Sequence, residues 1–300
     1  MRLALENVNI NNNGGPNSFA RKLIHEFEKQ GVNYRSREPE AILCFIESPR
    51  HDLSNIPLVQ RLDGIYFNTM QPYDQQNANI LRTYKAASGI VFQSEFSKNL
   101  VTTWFGEHEN STVIHNGANM DFIDSIPKAE SESLSKFDNI WTCAASWRPH
   151  KRLKDNIGYF LQHSGPNDVL FVAGDKQDEE IPQDTKIKYL GSLNEQQLIS
   201  LYKASTHFIH LGWLDNCPNV VVDARACGCH IICTNSGGTP EVAGPEATII
   251  QQERWNFKPV ELYSPPVLDF SKKAVNNTGD VDYNMDLVGQ KYIDFCKGVT

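Results

Sequence analysis

No stretch of the 300 residues approaches the ~20 apolar residues of a membrane span. The opening Met1–Asn13 alternates polar and apolar residues and then turns Asn-rich. It has neither the basic start nor the apolar middle of a secretory leader, so none is expected. Basic surplus is also missing: 28 Lys and Arg stand against 36 Asp and Glu, a net charge of −8. Broad binding to nucleic acid or to an anionic membrane is therefore not expected, which leaves room only for a local basic pocket that takes a small anion. Seven cysteines, an odd number without a small-domain framework, fit the reduced thiols of a cytoplasmic protein. Several catalytic signatures are absent: G-x-S-x-G, H-E-x-x-H, the P-loop, and the G-x-G-x-x-G of dinucleotide oxidoreductases.

What is present is alternation. Short apolar runs at 2–8, 41–46, 57–62, 89–93 and 111–115 read as strands, with helices expected over 17–30, 77–87 and 95–105. In the first helix Phe19, Leu23, Ile24 and Phe27 fall on one face and Gly31 is the stop signal. The polar, aperiodic stretch 128–137 reads as a linker. After it the alternation restarts, with strands at 140–145, 169–173, 187–190, 207–211, 230–233 and 247–250, and helices at 153–163, 194–204 and 219–227. Two consecutive α/β halves predict two Rossmann-like domains facing a cleft, over 1–125 and 126–283. The Pro/Asn/Asp-rich 264–282 reads as irregular, and 284–300 as a final helix.

Two Gly-Gly loops sit at equivalent strand–helix junctions, one in each half. They are Asn13-Gly14-Gly15-Pro16 and Ser236-Gly237-Gly238-Thr239-Pro240-Glu241. Glycine there lets a ligand approach the backbone and the positive end of a helix. Arg148, Lys151, Arg152 and Lys154 form the densest basic cluster, directly after a strand. Cys217, Cys227, Cys229 and Cys233 lack the paired C-x2-C arms of a zinc site and read as small buried hydrophobes. Asp280-Val281-Asp282 lies in the irregular tail and His115 beside a turn, so neither is counted in the site; Trp104, Phe105 and Trp213 read as packing residues.

The second half carries a longer pattern: Trp147-Arg148-Pro149-His150-Lys151, Val172-Ala173-Gly174, Leu190-Gly191, Asp215 through Gly228, and Gly237-Gly238-Thr239-Pro240-Glu241-Val242. In order and spacing it resembles the donor-binding domain of GT-B glycosyltransferases of the retaining family-4 type. The first half agrees in outline through Gly14-Gly15, Val91-Phe92-Gln93-Ser94 and Val113-Ile114-His115-Asn116-Gly117. The resemblance implies transfer of a sugar from a nucleotide-sugar donor to an acceptor hydroxyl, with retention and without a metal or other cofactor. It implies that Lys151 and Arg148 meet the diphosphate with the N–H groups near Gly237 and Gly238. Asp215, Asn216, Pro218, Asn219 and Val220 would face the sugar, Asp223 would hold the ribose, and Gly14 and Gly15 would close from the other domain. It also implies that the final helix crosses back onto the first domain.

Three departures mark this chain. The family's Glu-x7-Glu is here Asp215 and Asp223, each one methylene shorter. Ser146 stands where an Arg is usual five residues before Lys151, leaving Arg148 to supply a guanidinium. No His occupies the stretch Leu58-Val59-Gln60-Arg61-Leu62-Asp63-Gly64, where the family often places one after the strand, so Asp63 or Arg61 takes its place at the cleft edge, Asp63 being the candidate that orients hydroxyls. Residues 1–125 hold 11 Lys and Arg against 14 Asp and Glu, a mildly acidic half without a patch for a membrane surface. That favours a soluble glycan, protein or small-molecule acceptor. Two other functions share these features: a nucleotide-sugar epimerase of the same fold, which would isomerise the donor alone, and a nucleotide-sugar-binding module with little turnover.

Overall fold

The computed structural model describes residues 1–12, 14–176, 180–272, 274–277 and 280–300; Asn13 of the first Gly-Gly loop lies outside them. Strand β1 (Leu3–Glu6) leads through Gly14 into α1 (Gly15–Lys29). Then come β2 (Ala41–Phe45), β3 (Leu58–Leu62), α2 (Tyr73–Ala86), β4 (Gly89–Phe92), α3 (Glu95–Phe105) and β5 (Ser111–Val113). The five strands pair in parallel in the order β1-β2-β3-β4-β5. Parallel strands buried on both faces read as continuous apolar runs, and β2 is buried at every position. One face is covered by α1 through Phe19, Leu23 and Phe27, the other by α2 and α3 through Ile80, Tyr84, Leu100 and Val101.

A short helix α4 (Met120–Ser125), capped by Asn119, leads into the second half. Its elements are β6 (Ile140–Ala144), α5 (Leu153–His163), β7 (Val169–Ala173), β8 (Ile187–Gly191), α6 (Glu195–Ala204), β9 (His207–His210), α7 (Asn219–Ala226), β10 (His230–Thr234), α8 (Thr239–Ala243), β11 (Thr248–Ile250) and β12 (Val275–Asn276). Their order in the sheet is β12-β11-β10-β9-β6-β7-β8, parallel except for β12. The chain moves outward from β6 through β7 and β8, then returns to lay β9 on the other side of β6. Helices on either side of this reversal diverge, so the carboxyl ends of β6 and β9 open a crevice, the usual ligand position in such sheets.

Several boundaries differ from the sequence reading. Helix α2 starts four residues before the expected Asn77, because Pro72 ends the preceding loop and Asp74 suits the first turn. The linker stretch is anchored, Ala129 donating to the Ser200 carbonyl at 3.0 Å, and it holds a 3-10 turn at Leu134–Lys136. After β11 the chain returns to the first half: Trp255, Phe257, Val260 and Leu262 pack with Phe67 and Trp104. There Val260 and Phe67–Thr69 exchange backbone hydrogen bonds of 3.0 Å. The last helix, α9 (Met285–Gly298), packs on α1 and β2 with Met285, Val288, Tyr292 and Ile293 in the core of the first half. Among the described residues no helix is long and apolar enough to cross a membrane.

Candidate active site

The reversal point brings two loops together. After β6 the chain runs through Ser146 and Trp147 into a 3-10 turn, Pro149–Lys151, and Arg152 adopts φ 57° before α5 begins. After β9 it runs from Leu211 to Pro218 with Leu214 at φ 60°. These turns aim Lys151 and Asp215 at each other, and Lys151 Nζ pairs with Asp215 Oδ1. The second carboxylate oxygen meets His210 Nε2 at 2.6 Å, from the last residue of β9. Burial opposes the charge on Asp215, yet Lys151 and the His210 hydrogen bond hold its carboxyl well below the usual range. Glycine is needed in between: a Cβ on Gly212 would lie 2.6 Å from Asp215 Oδ2 and 2.9 Å from His210 Nε2.

The Gly237-Gly238 loop cradles the backbone of the same acid. Gly238 N–H donates to the Asp215 carbonyl at 2.7 Å, and a Cβ on Gly237, at φ 70°, would stand 2.3 Å from that oxygen. The expectation that the N–H groups here face a diphosphate is thus corrected at Gly238, whose N–H is used inside the loop. The basic cluster also divides. Lys151 faces Asp215, while Arg152 is buried and donates from Nη2 to the Pro266 carbonyl at 2.6 Å. Arg148 and Lys154 are exposed, and the Arg148 guanidinium makes no hydrogen bond or salt bridge among the described residues, its carbonyl accepting from the Lys151 N–H at 2.8 Å. His150, stacked on Tyr263, has its imidazole pushed down to about 4 by burial and then by Lys151.

The opposite wall comes from the first half. Gly14, at φ 130°, opens α1, and the Gly15 carbonyl accepts from Asn219 Nδ2 at 3.0 Å. Gly64, at φ 111°, lies so close to Asn216 that a Cβ would stand 2.6 Å from its amide nitrogen. Asn216 Oδ1 and Asn219 Oδ1 are buried and without a hydrogen-bond partner among the described residues, and both side chains lie against the first half, at Gly64 and Gly15. Pro218 and Val220 flank Asn219 at the start of α7. Asp63 follows β3 and pairs with Arg61. Arg61 itself is not at the cleft edge: it is 1% exposed, stacked over Phe19 and Phe45, and bonded to Tyr292 Oη and Asn116 Oδ1.

Three side chains escaped the sequence reading. Lys22, on the buried face of α1, reaches Asp223 Oδ1 at 2.6 Å. The signal for it was a cation inside the apolar stripe of that helix, between Phe19 and Leu23. His210 was hidden as the last residue of a strand. Glu241, part of the second Gly-Gly loop, accepts the Glu95 and Phe96 N–H groups at the start of α3, at 2.7 and 2.9 Å. Its Oε2 also meets His115 Nε2 at 2.7 Å, so His115 joins the two halves rather than filling a core. The four cysteines Cys217, Cys227, Cys229 and Cys233 are free; all but the half-buried Cys227 are buried, as small hydrophobes would be.

Residues 125–256 match the family model of the glycosyl transferases group 1. No curated protein sequence matches the chain. Among solved structures it is similar to sucrose-phosphate synthase from Thermosynechococcus elongatus, at 13% identity over 83% of this chain and 86% of that one, with a TM-score of 0.61. It is also similar to Anabaena HepE in complex with UDP, at 15% identity over 86% and 87%, TM-score 0.62. A third is a glycosyltransferase from Rickettsia africae, at 14% identity over 99% and 98%, TM-score 0.60. Two parallel-sheet halves with the site between them define the GT-B class. The family match is confined to residues 125–256, within the second half, and the fold is the one the GT-B glycosyltransferase structures share.

Proposed function

We propose that this enzyme transfers a sugar from a nucleotide-sugar donor to an acceptor hydroxyl with retention at the anomeric carbon, as a family-4 type transferase. The observation that carries this reading is the Lys151–Asp215–His210 group at the reversal point of the second sheet, with the unpartnered oxygens of Asn216 and Asn219 following in the chain. Lys151 is shared between Asp215 and the diphosphate, whose charge grows as the glycosidic bond breaks. Arg148, exposed beside it, is the second cation. These side chains supply the positive charge, so the scheme runs without a metal or other cofactor. Asp215, fixed by His210, accepts from sugar hydroxyls together with the free oxygens of Asn216 and Asn219. Pro218, Val220, Gly14 and Gly15 shape the walls, Gly238 holds Asp215 in place through its N–H, and the Gly237 N–H meets the diphosphate.

Retention follows from attack on the face the diphosphate leaves. The acceptor oxygen bonds to the anomeric carbon, the carbon–oxygen bond to the diphosphate breaks, and the leaving phosphate oxygen takes the acceptor proton. No protein nucleophile is required. Asp63, held by Arg61, orients the acceptor hydroxyl from the first half. Closure of the halves excludes water from the donor and limits hydrolysis. A soluble glycan, protein or small molecule fits the mildly acidic first half, and a cytoplasmic location fits the cysteine usage. HepE was solved with UDP, which puts UDP first among the nucleotides to try. A thermal-shift screen across UDP-, GDP- and ADP-sugars tests the reading, since a ligand that binds only the native state raises its melting temperature. A rise with at least one donor, followed by transfer to an added acceptor, is expected. No rise with any donor would overturn the proposal.

A further inference from the structure

Lys22 is an unusual residue to bury: its side chain is 5% exposed, on the face of α1 that packs Phe19, Leu23 and Phe27. Its ammonium crosses between the halves to Asp223 Oδ1 at 2.6 Å and donates also to the Gly117 carbonyl at 3.2 Å. Both acceptors lie on other elements, α7 and the segment joining the halves. The side chain therefore reads where α7 stands relative to α1. An open groove of about 370 Å3 lies beside it, walled by Arg21, Lys22 and His25 of α1, by Asn119 and Phe122, and by Glu195 at the start of α6. One oxygen of Asp223 is thus occupied by Lys22, and Oδ2 remains for a hydroxyl.

We infer that Lys22 is a positioning residue of the donor site: it holds the ribose-binding carboxylate of Asp223 charged and oriented from the opposite half, so that nucleotide binding and closure of the halves depend on one ion pair. This rests on the donor reading above. Asp223 is a shortened acid on the second turn of α7, and an ammonium supplied from across the cleft keeps that shorter carboxylate extended. Charge matters as much as position. Burial pushes the Asp223 carboxyl up and Lys22 is the cation opposing it. The other titratable groups facing Asp223 are Tyr202 of α6, whose phenol burial and Asp223 push well up, and Cys227 just past the end of α7, whose thiol is pushed up to about 12. Neither supplies positive charge. Without Lys22 the carboxyl is left to burial alone and takes a proton at a higher pH.

Calorimetric titration with UDP, GDP and ADP at pH 6 and pH 8 tests this on wild type, K22M, D223N and the K22M/D223N double variant. K22M is expected to weaken the nucleotide that wild type binds by about tenfold or more. Its affinity should recover from pH 6 to pH 8, whereas wild type stays level. The double variant should bind no more weakly than D223N, because Lys22 acts through that carboxylate. Burying no lone charge, it keeps this comparison available should K22M not fold. Wild-type affinity in K22M at both pH values, or a double variant weaker than D223N, overturns the inference while leaving the donor reading intact. Failure of wild type to bind any of the three nucleotides overturns the donor reading and the inference with it.

Discussion

Asp215 stays charged against the cost of burial because Lys151 and His210 each reach one of its oxygens. Asp223, eight residues on, pairs with Lys22 alone among the described residues, and burial pushes its carboxyl up. The two acids therefore differ in environment although they share a side chain, and their variants should separate. Asp223→Ala is expected to weaken nucleoside diphosphate affinity. Asp215→Ala should spare it and lose discrimination among donor sugars; equal affinities for all three proteins in calorimetry would contradict both assignments. A pH effect belongs to His150. Its folded value of about 4 lies below the ~6.5 of an unfolded imidazole, so the unfolded state takes the proton first. The contribution to stability is complete above about pH 6.5 and is lost as pH falls towards 4. His150→Phe, which keeps a ring against Tyr263, should flatten the acid slope of melting temperature over that window.

At the scale of elements, α8 is five residues long yet joins the halves through Glu241. Its carboxylate caps the first turn of α3 and meets His115, so Glu241→Ala leaves two N–H groups and an imidazole without their acceptor. A loss of about 1–2 kcal/mol is expected in urea denaturation; unchanged stability would mean the contact is absent in solution. The elements themselves were largely legible in the sequence, because buried parallel strands appear as apolar runs and the helices carry a 3.6-residue stripe. Short pieces were not. Helix α4 has one buried apolar residue, Ile123, and β12 is two residues long, too little for any period to register. The Asp215 loop was legible from residue order, but the partners of its acids were not. Lys22 lies 201 positions from Asp223 and Glu241 lies 146 from Glu95, and no local pattern encodes such separations.

For the whole molecule, the two halves are tied at several points. The strap carrying Trp255, Phe257 and Val260 returns to the first half, and α9 completes the core beneath α1. Asn116 donates to the Cys217 carbonyl at 2.8 Å while holding Arg61, so the turn before the Asp223 helix is linked to the core of the first sheet. The net charge of −8 is thus compatible with an anion site, because Lys151 and Arg148 lie together on the loop after β6, while Lys22, from the opposite half, pairs with Asp223. The central claim is retaining transfer at that cleft, and proton NMR of the product tests it most directly. With an α-linked nucleotide-sugar donor and an accepted hydroxyl compound, wild type should give an α-glycoside. Lys151→Ala should lower its rate by about 100-fold or more. A β-linked product, or transfer undiminished in Lys151→Ala, would contradict the account.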